Sequence, residues 1–266
     1  MSIFVISLEN AKSRQEHIKQ EFSKEKIPFS FFKAVTPKDI DNVSEQLGID
    51  VSNTDLTDGE KACFLSHASL WQKLIAENLD YICIFEDDIY LGENINRFLF
   101  DISCYPNDFD IIKLESFDHE IVIDPDFKKK IGARELFKLA SKSLGTAGYI
   151  LSRKSAIKLF NYLTNIEKIE PVDHFLFETL VYEKKFNIYY LNPSICKQDF
   201  LISGDQNKFT STIEPERKIR REREKIIEKK EKLGLLRKLR REFLRIINGI
   251  LKLLKKKEHK IFSSFK

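Results

Sequence analysis

Residues 81–88, Tyr-Ile-Cys-Ile-Phe-Glu-Asp-Asp, set three carboxylates at the end of a short apolar run. The run has the length and the β-branched and aromatic content of a buried strand. A fold that buries Tyr81–Phe85 must bring Glu86, Asp87 and Asp88 to the strand's C-terminal edge, where open α/β sheets place their ligand crevice. Carboxylates gathered there repel one another unless a divalent cation or a proton intervenes. Oxygen ligands of this kind suit Mg2+ or Mn2+, ions that also grip phosphates. Taken alone, the same triplet also describes a solvated loop or a helix start, so the rest of the chain has to decide.

The pattern around it alternates. Ile3–Leu8 reads as a strand, followed by a polar helix around Ala11–Glu25 and a short strand at Phe29–Val35. Helical spacing of Cys63, Leu65, Leu70, Trp71, Leu74 and Ile75 predicts a helix over 59–78, with Asp58 placed as its N-cap. Further strands are predicted at Asp110–Leu114, within Leu144–Leu151 and at Phe186–Leu191, and helices at Ser155–Leu163 and Phe175–Tyr182. Strands alternating with helices predict an α/β layered sheet. With 266 residues, the chain can build one substantial core or two small ones.

Charge divides the chain sharply. Residues 214–266 carry 20 Lys+Arg against 8 Asp+Glu, whereas residues 1–213 carry 25 against 33. An acidic body of 1–213 and a basic tail of 214–266 are therefore expected to do different jobs. Residues 214–231 are a highly charged helix former with too few apolar side chains for a core. From Leu233 to Leu254, Leu236, Leu239, Phe243, Ile246, Ile247, Ile250 and Leu254 recur at three- and four-residue intervals, with Lys and Arg on much of the other face. That is the pattern of a basic amphipathic helix on an anionic membrane surface, which Lys255–Lys257 would reinforce. Packing on the acidic body or pairing in a coiled coil is the alternative. No aromatic interleaving supports nucleic-acid binding. Cys63, Cys83, Cys104 and Cys196 match neither a zinc pattern nor a disulfide ladder. A start without a basic segment argues against a secretion signal, and the expected location is the cytoplasm.

Several other segments carry chemistry. Residues 56–67 form a turn leading into a helix that bears Glu60, Ser66 and His67, where a histidine is ordinarily a core-edge residue and otherwise a base or ligand. Gly145-Thr146-Ala147-Gly148 reads either as a turn that lets a substrate approach the backbone or as a tight strand entry. Asp173, after Pro171, reads as a helix N-cap or a catalytic carboxylate.

Taken in order, Ile6–Leu8 with Arg14, Phe32–Val35, Leu56–His67 with Leu70-Trp71, Ile84–Asp88, Asp110–Leu114, Gly145–Tyr149 and Pro171–Asp173 resemble glycosyltransferase family 25. This family comprises bacterial lipooligosaccharide glycosyltransferases related to collagen galactosyltransferases. Ser7 stands where the family usually has Asn, and Lys61-Ala62 where Ile-Gly is typical. The resemblance implies an A-type, Rossmann-like nucleotide-sugar-binding α/β fold, a UDP-sugar donor and inversion at the anomeric carbon. It makes Glu86–Asp88 the Asp-x-Asp-like motif, with Asp88 and Glu86 holding Mn2+ or Mg2+. Ser7, Leu8, Arg14, Glu86, Asp87 and Gly148 would line the donor site. Asp173 would be the base, with Glu60 and His67 as rivals.

The expectation is thus a hexosyltransferase moving galactose, or alternatively glucose, from UDP onto a lipooligosaccharide or lipopolysaccharide acceptor. It would work at the inner face of the cytoplasmic membrane, held there by its tail. Two readings from other classes remain at this point. One is another metal-dependent nucleotide enzyme, such as a nucleotidyltransferase or sugar-nucleotide hydrolase. The other is a non-catalytic membrane or scaffold protein.

Overall fold

The computed structural model describes residues 2–204, 208–209, 214–231 and 258–266, the side chains of 224–231 excepted. The amphipathic segment Leu233–Leu254 lies outside the described residues. A nine-stranded mixed sheet runs β11-β6-β7-β9-β5-β8-β3-β1-β2. Its strands are β1 (Ser2–Ser7), β2 (Ser30–Lys33), β3 (Tyr81–Glu86), β5 (Ile111–Lys113), β6 (Glu120–Ile131), β7 (Arg134–Leu139), β8 (Gly148–Ser152), β9 (Ile188–Asn192) and β11 (His259–Phe262). A separate antiparallel pair joins β4 (Ile89–Leu91) to β10 (Cys196–Gln198). The mixed α/β architecture expected from the sequence is the one observed.

Both faces of the sheet are buried, and period-two alternation divides the strand side chains between two cores. Phe4, Ile6, Ile82 and Ile84 join one core, with α2 (Ile40–Leu47), α3 (Asp58–Ala76) and α5 (Arg153–Leu163). Ile3, Val5, Cys83 and Phe85 join the other, with α1 (Lys12–Lys24) and α4 (Asn96–Phe100). Strand β1 runs parallel to β3, with Ile6 beside Glu86, while β8 runs antiparallel to β3, with Gly148 opposite Phe85. The ends of β1 and β3 and the turn before β8 therefore meet at one place, where α1 and α3 also border the sheet.

Two local readings change, and a hairpin joins the sheet. Thr57, not Asp58, caps α3: its side chain accepts from the Glu60 N–H, and Glu60 accepts from the Thr57 N–H in return. This reciprocal box satisfies two donors that a helix start leaves open. The β6–β7 hairpin lies in a stretch that shows no clean alternation, because β6 shifts register between Ile123 and Lys128 and turns at Gly132 with a positive φ. Residues 258–266, grouped with the tail by charge, return to the sheet, where His259–Phe262 pair with β6. No helix among the described residues is long and apolar enough to cross a membrane.

Arg134 locks this returning segment. Its guanidinium is almost wholly buried and donates to the backbone carbonyls of Pro193, Ser194, Glu93 and Lys266 at 2.7–2.9 Å. Removing it leaves four carbonyls without their charged donor. Arg134→Ala is expected to lower stability by about 3 kcal/mol, read as the shift in a urea unfolding midpoint.

Candidate active site

Each carboxylate of the triplet has a different counter-group. Asp87 accepts from Ser7 Oγ and from Arg14 Nη1, both at 2.6 Å. Parallel pairing of β1 with β3 sets up the first contact, and α1 delivers the second. Arg14 also lies 3.5 Å from Asp88. Burial works against its charge, but Asp87 and Asp88 outweigh that and raise its pKa. Glu86 accepts from Thr146 Oγ1 at 2.8 Å, while its backbone N–H donates to Ala147 O. The Gln198 amide of β10 lies 3.3 Å from both Glu86 and Asp88 and draws the two carboxylates together.

These surroundings push the two acids apart. Burial raises the Glu86 carboxyl, but His67, Thr146 and Arg217 outweigh it and hold it below its ordinary value. Burial, and then the charge of Glu86, pushes Asp88 up to about 7. Two convergent carboxylates, one holding a proton near neutrality, make an oxygen donor set short of positive charge. Such a set fits Mg2+ or Mn2+.

His67 is fully buried on α3 and belongs to a directed chain. Trp71 Nε1 can only donate, and it does so to Tyr149 Oη at 2.9 Å. The Tyr149 proton is then given to His67 Nδ1, also at 2.9 Å. Hydrogen-bond economy thus puts the imidazole proton on Nε2, which faces Glu86 Oε1 at 3.5 Å. Cys63 Sγ, His67 Nε2 and a Glu86 oxygen lie within 4.8 Å of one another. Burial drives the Cys63 thiol well above its ordinary range.

Glu60 is committed elsewhere. One oxygen accepts from Thr57, while the other accepts from Arg217 Nε at 3.1 Å and Arg220 Nη2 at 2.9 Å. Both arginines come from α9 (Glu214–Glu231), which follows α7 (Leu180–Glu183) and α8 (Asp199–Ser203) in the chain. Burial opposes its charge, but the Thr57 hydrogen bond and the two arginines hold its pKa below the usual value. Asp173, in α6 (Val172–His174), has no hydrogen-bond or ion-pair partner among the described residues and sits close enough to raise the Cys63 thiol. Leu8 offers its carbonyl to Gln15 Nε2 at 2.9 Å. Gly148 is required by packing, since a Cβ there would lie 2.2 Å from Cys196 Sγ.

A profile of "Glycosyltransferase family 25 (LPS biosynthesis protein)" matches residues 1–176. The chain belongs to glycosyltransferase family 25. It is 35% identical over 246 residues to a putative glycosyltransferase of Haemophilus influenzae, covering 91% of this chain and 84% of that protein. It is 36% identical to the lipooligosaccharide biosynthesis protein lic2B of the same species, covering 80% of this chain and 82% of the relative. A solved glycosyltransferase involved in glycosylation of the major capsid of PBCV-1 is similar at 10% identity and a TM-score of 0.39, covering 74% of this chain and 92% of that one. A family 25 chain is a glycosyltransferase.

Other members of the cluster escape a sequence reading. Lys113 and Glu115 are fully buried behind the turn. Lys113 Nζ donates to Gly145 O at 2.5 Å, and Glu115 accepts from the Ala147 N–H at 2.8 Å. Burial pushes Glu115 up to about 7, against the pull of Lys113, with Glu86 and Asp88 adding to the rise. A Lys inside the Asp110–Leu114 run was the available signal. Gln198, Arg217 and Arg220 come from distant segments and gave none.

The Asp88 shift has a sign. Its folded pKa of about 7 exceeds the ~3.9 of an unfolded Asp, so the folded state holds a proton that the unfolded state releases in between. In chelator, this group makes stability fall as pH rises from about 4 to 7, with no further change above. Asp88→Asn should remove that fall, read as melting temperature against pH for the two proteins. Added Mn2+ at pH 8 should stabilise the wild type but not the variant.

Proposed function

We propose that the protein is an inverting hexosyltransferase that moves galactose from UDP-galactose onto a lipooligosaccharide or lipopolysaccharide acceptor. The observation that carries this reading is the convergence of Glu86 and Asp88 on Gln198 at the sheet edge of a family 25 chain. The biosynthetic role named for the Haemophilus relative supports the choice of acceptor. Galactose rests on the family resemblance, with glucose as the alternative donor sugar.

In this reading, Asp88 and Glu86 hold Mn2+ or Mg2+, which when bound neutralises charge developing on the departing diphosphate. Ser7 and Arg14 fix Asp87, so the donor edge is organised before substrate arrives. Leu8 and Gly148 shape that edge through backbone and packing. Inversion requires the acceptor hydroxyl to attack the anomeric carbon from the face opposite the leaving diphosphate, giving up its proton as it does so. Asp173 is our base, because its carboxylate is unengaged among the described residues. Glu60 is held by two arginines, and the His67 Nε2 already bears a proton.

Residues 1–213 carry the metal ligands and the base in this reading, with 258–266 completing the sheet. We propose that residues 233–254, outside the described residues, hold the enzyme at the anionic inner face of the cytoplasmic membrane near its lipid-linked acceptor.

The deciding assay offers a panel of UDP-sugars to truncated lipooligosaccharide acceptors, with linkage and anomeric analysis of the products. Asp88→Asn should abolish metal-stimulated transfer, and full activity in chelator would refute the metal assignment. Asp173→Asn should lower kcat by about 10²–10⁴-fold with UDP affinity unchanged, and a smaller loss would move the base elsewhere. Replacing Leu236, Leu239, Phe243 and Ile246 with Ser should abolish sedimentation with phosphatidylglycerol vesicles yet spare turnover of a soluble acceptor.

A further inference from the structure

Helix α9 is too polar to be held by an apolar face, and its attachment is electrostatic. Arg217 and Arg220, three residues apart and so on one face, both reach the buried carboxylate of Glu60. Their side chains are 26% and 18% exposed, whereas neighbouring Arg221, at 51%, points away and pairs with Glu214. Glu60 belongs to the first turn of α3, the helix that carries His67 along the acidic edge. The charge of Arg217 is felt by Glu86 and by Cys63. A basic helix assigned by pattern to a separate tail thus brings a cation to the crevice.

How Arg217 is held matters. Its Nε is tied to Glu60 at 3.1 Å, which orients the guanidinium plane. Among the described residues its Nη edge donates no hydrogen bond, and Nη1 lies 3.8 Å from the half-exposed Glu214. A guanidinium anchored through Nε, with its Nη edge uncommitted, is prepared for two parallel hydrogen bonds to a phosphate. The acid-rich crevice offers no other basic side chain in that arrangement among the described residues, since Arg14 is taken up by Asp87 and Asp88.

We propose that Arg217 is a phosphate-binding residue of the donor site, so that α9 is a working part of the catalytic unit and contacts the diphosphate of the nucleotide sugar. Glu60 is then the positioning residue that aims Arg217, and Arg220 secures the same carboxylate. This rests on the donor being a nucleoside diphosphate sugar, as proposed above.

The test is calorimetric titration of the full-length protein with UDP in the presence of Mn2+, and ligand-observed NMR titration with uridine, which lacks phosphate. Arg217→Ala should weaken UDP about 10- to 100-fold and leave uridine unchanged. Arg217→Lys should recover only part of the loss. Arg221→Ala, on the solvent side of the same helix, should bind both ligands like the wild type. UDP affinity unchanged in Arg217→Ala would overturn the inference, as would an equal loss of UDP and uridine, which marks a merely structural role. Failure of the wild type itself to bind UDP would instead refute the donor assignment, and this inference with it.

Discussion

Three carboxylates at the end of one buried strand can stand together only if their charges are met separately. Asp87 is met by Ser7 and Arg14, Glu86 by Thr146 and the His67 edge, and Asp88 by the shared amide of Gln198 and a proton. Each counter-group arrives on a different element: β1, α1, the turn before β8, α3 and β10. Removing any of these elements would return the strand end to mutual repulsion. The strand order can be seen as the arrangement that delivers these partners to one edge, with β1 parallel and β8 antiparallel to β3.

A second layer supports the first. Lys113 and Glu115 are fully buried, and what they hold is backbone: Gly145 O and the Ala147 N–H. Gly145 has a positive φ, and a Cβ there would run into the Glu115 carboxylate. The turn that presents Thr146 to Glu86 is therefore shaped by a buried charge pair, which substitutes for the regular ladder the backbone lacks at that point.

Much of this was legible in the sequence because its cause is local. The apolar run Tyr81–Phe85 marked β3 and helical spacing marked α3, and Ser7 and Arg14 both bond Asp87 at the strand end. The miss at Thr57 was by one residue, since Asp58 and Thr57 are both good caps and only the return bond from Glu60 separates them. The illegible parts depend on long-range encounters. The β6–β7 hairpin is disguised by a register shift, and Gln198 reaches Glu86 across 112 positions. Arg217 meets Glu60 across 157 positions. A highly charged helix reads as solvated because its partner is a single buried carboxylate that no periodicity announces.

The return of residues 258–266 to the sheet bears on how the protein can be handled. Strand β11 pairs with residues 120–123 of β6 and takes the sheet's edge there; without it those N–H and C=O groups would be left unpaired, a template for foreign strands. Cutting the chain after residue 213 would therefore uncover a sticky border as well as delete a basic tail. Such a fragment would tend to self-associate for reasons unrelated to its chemistry. Excising 232–257 and rejoining the ends through a flexible linker would keep residues 120–123 paired with β11.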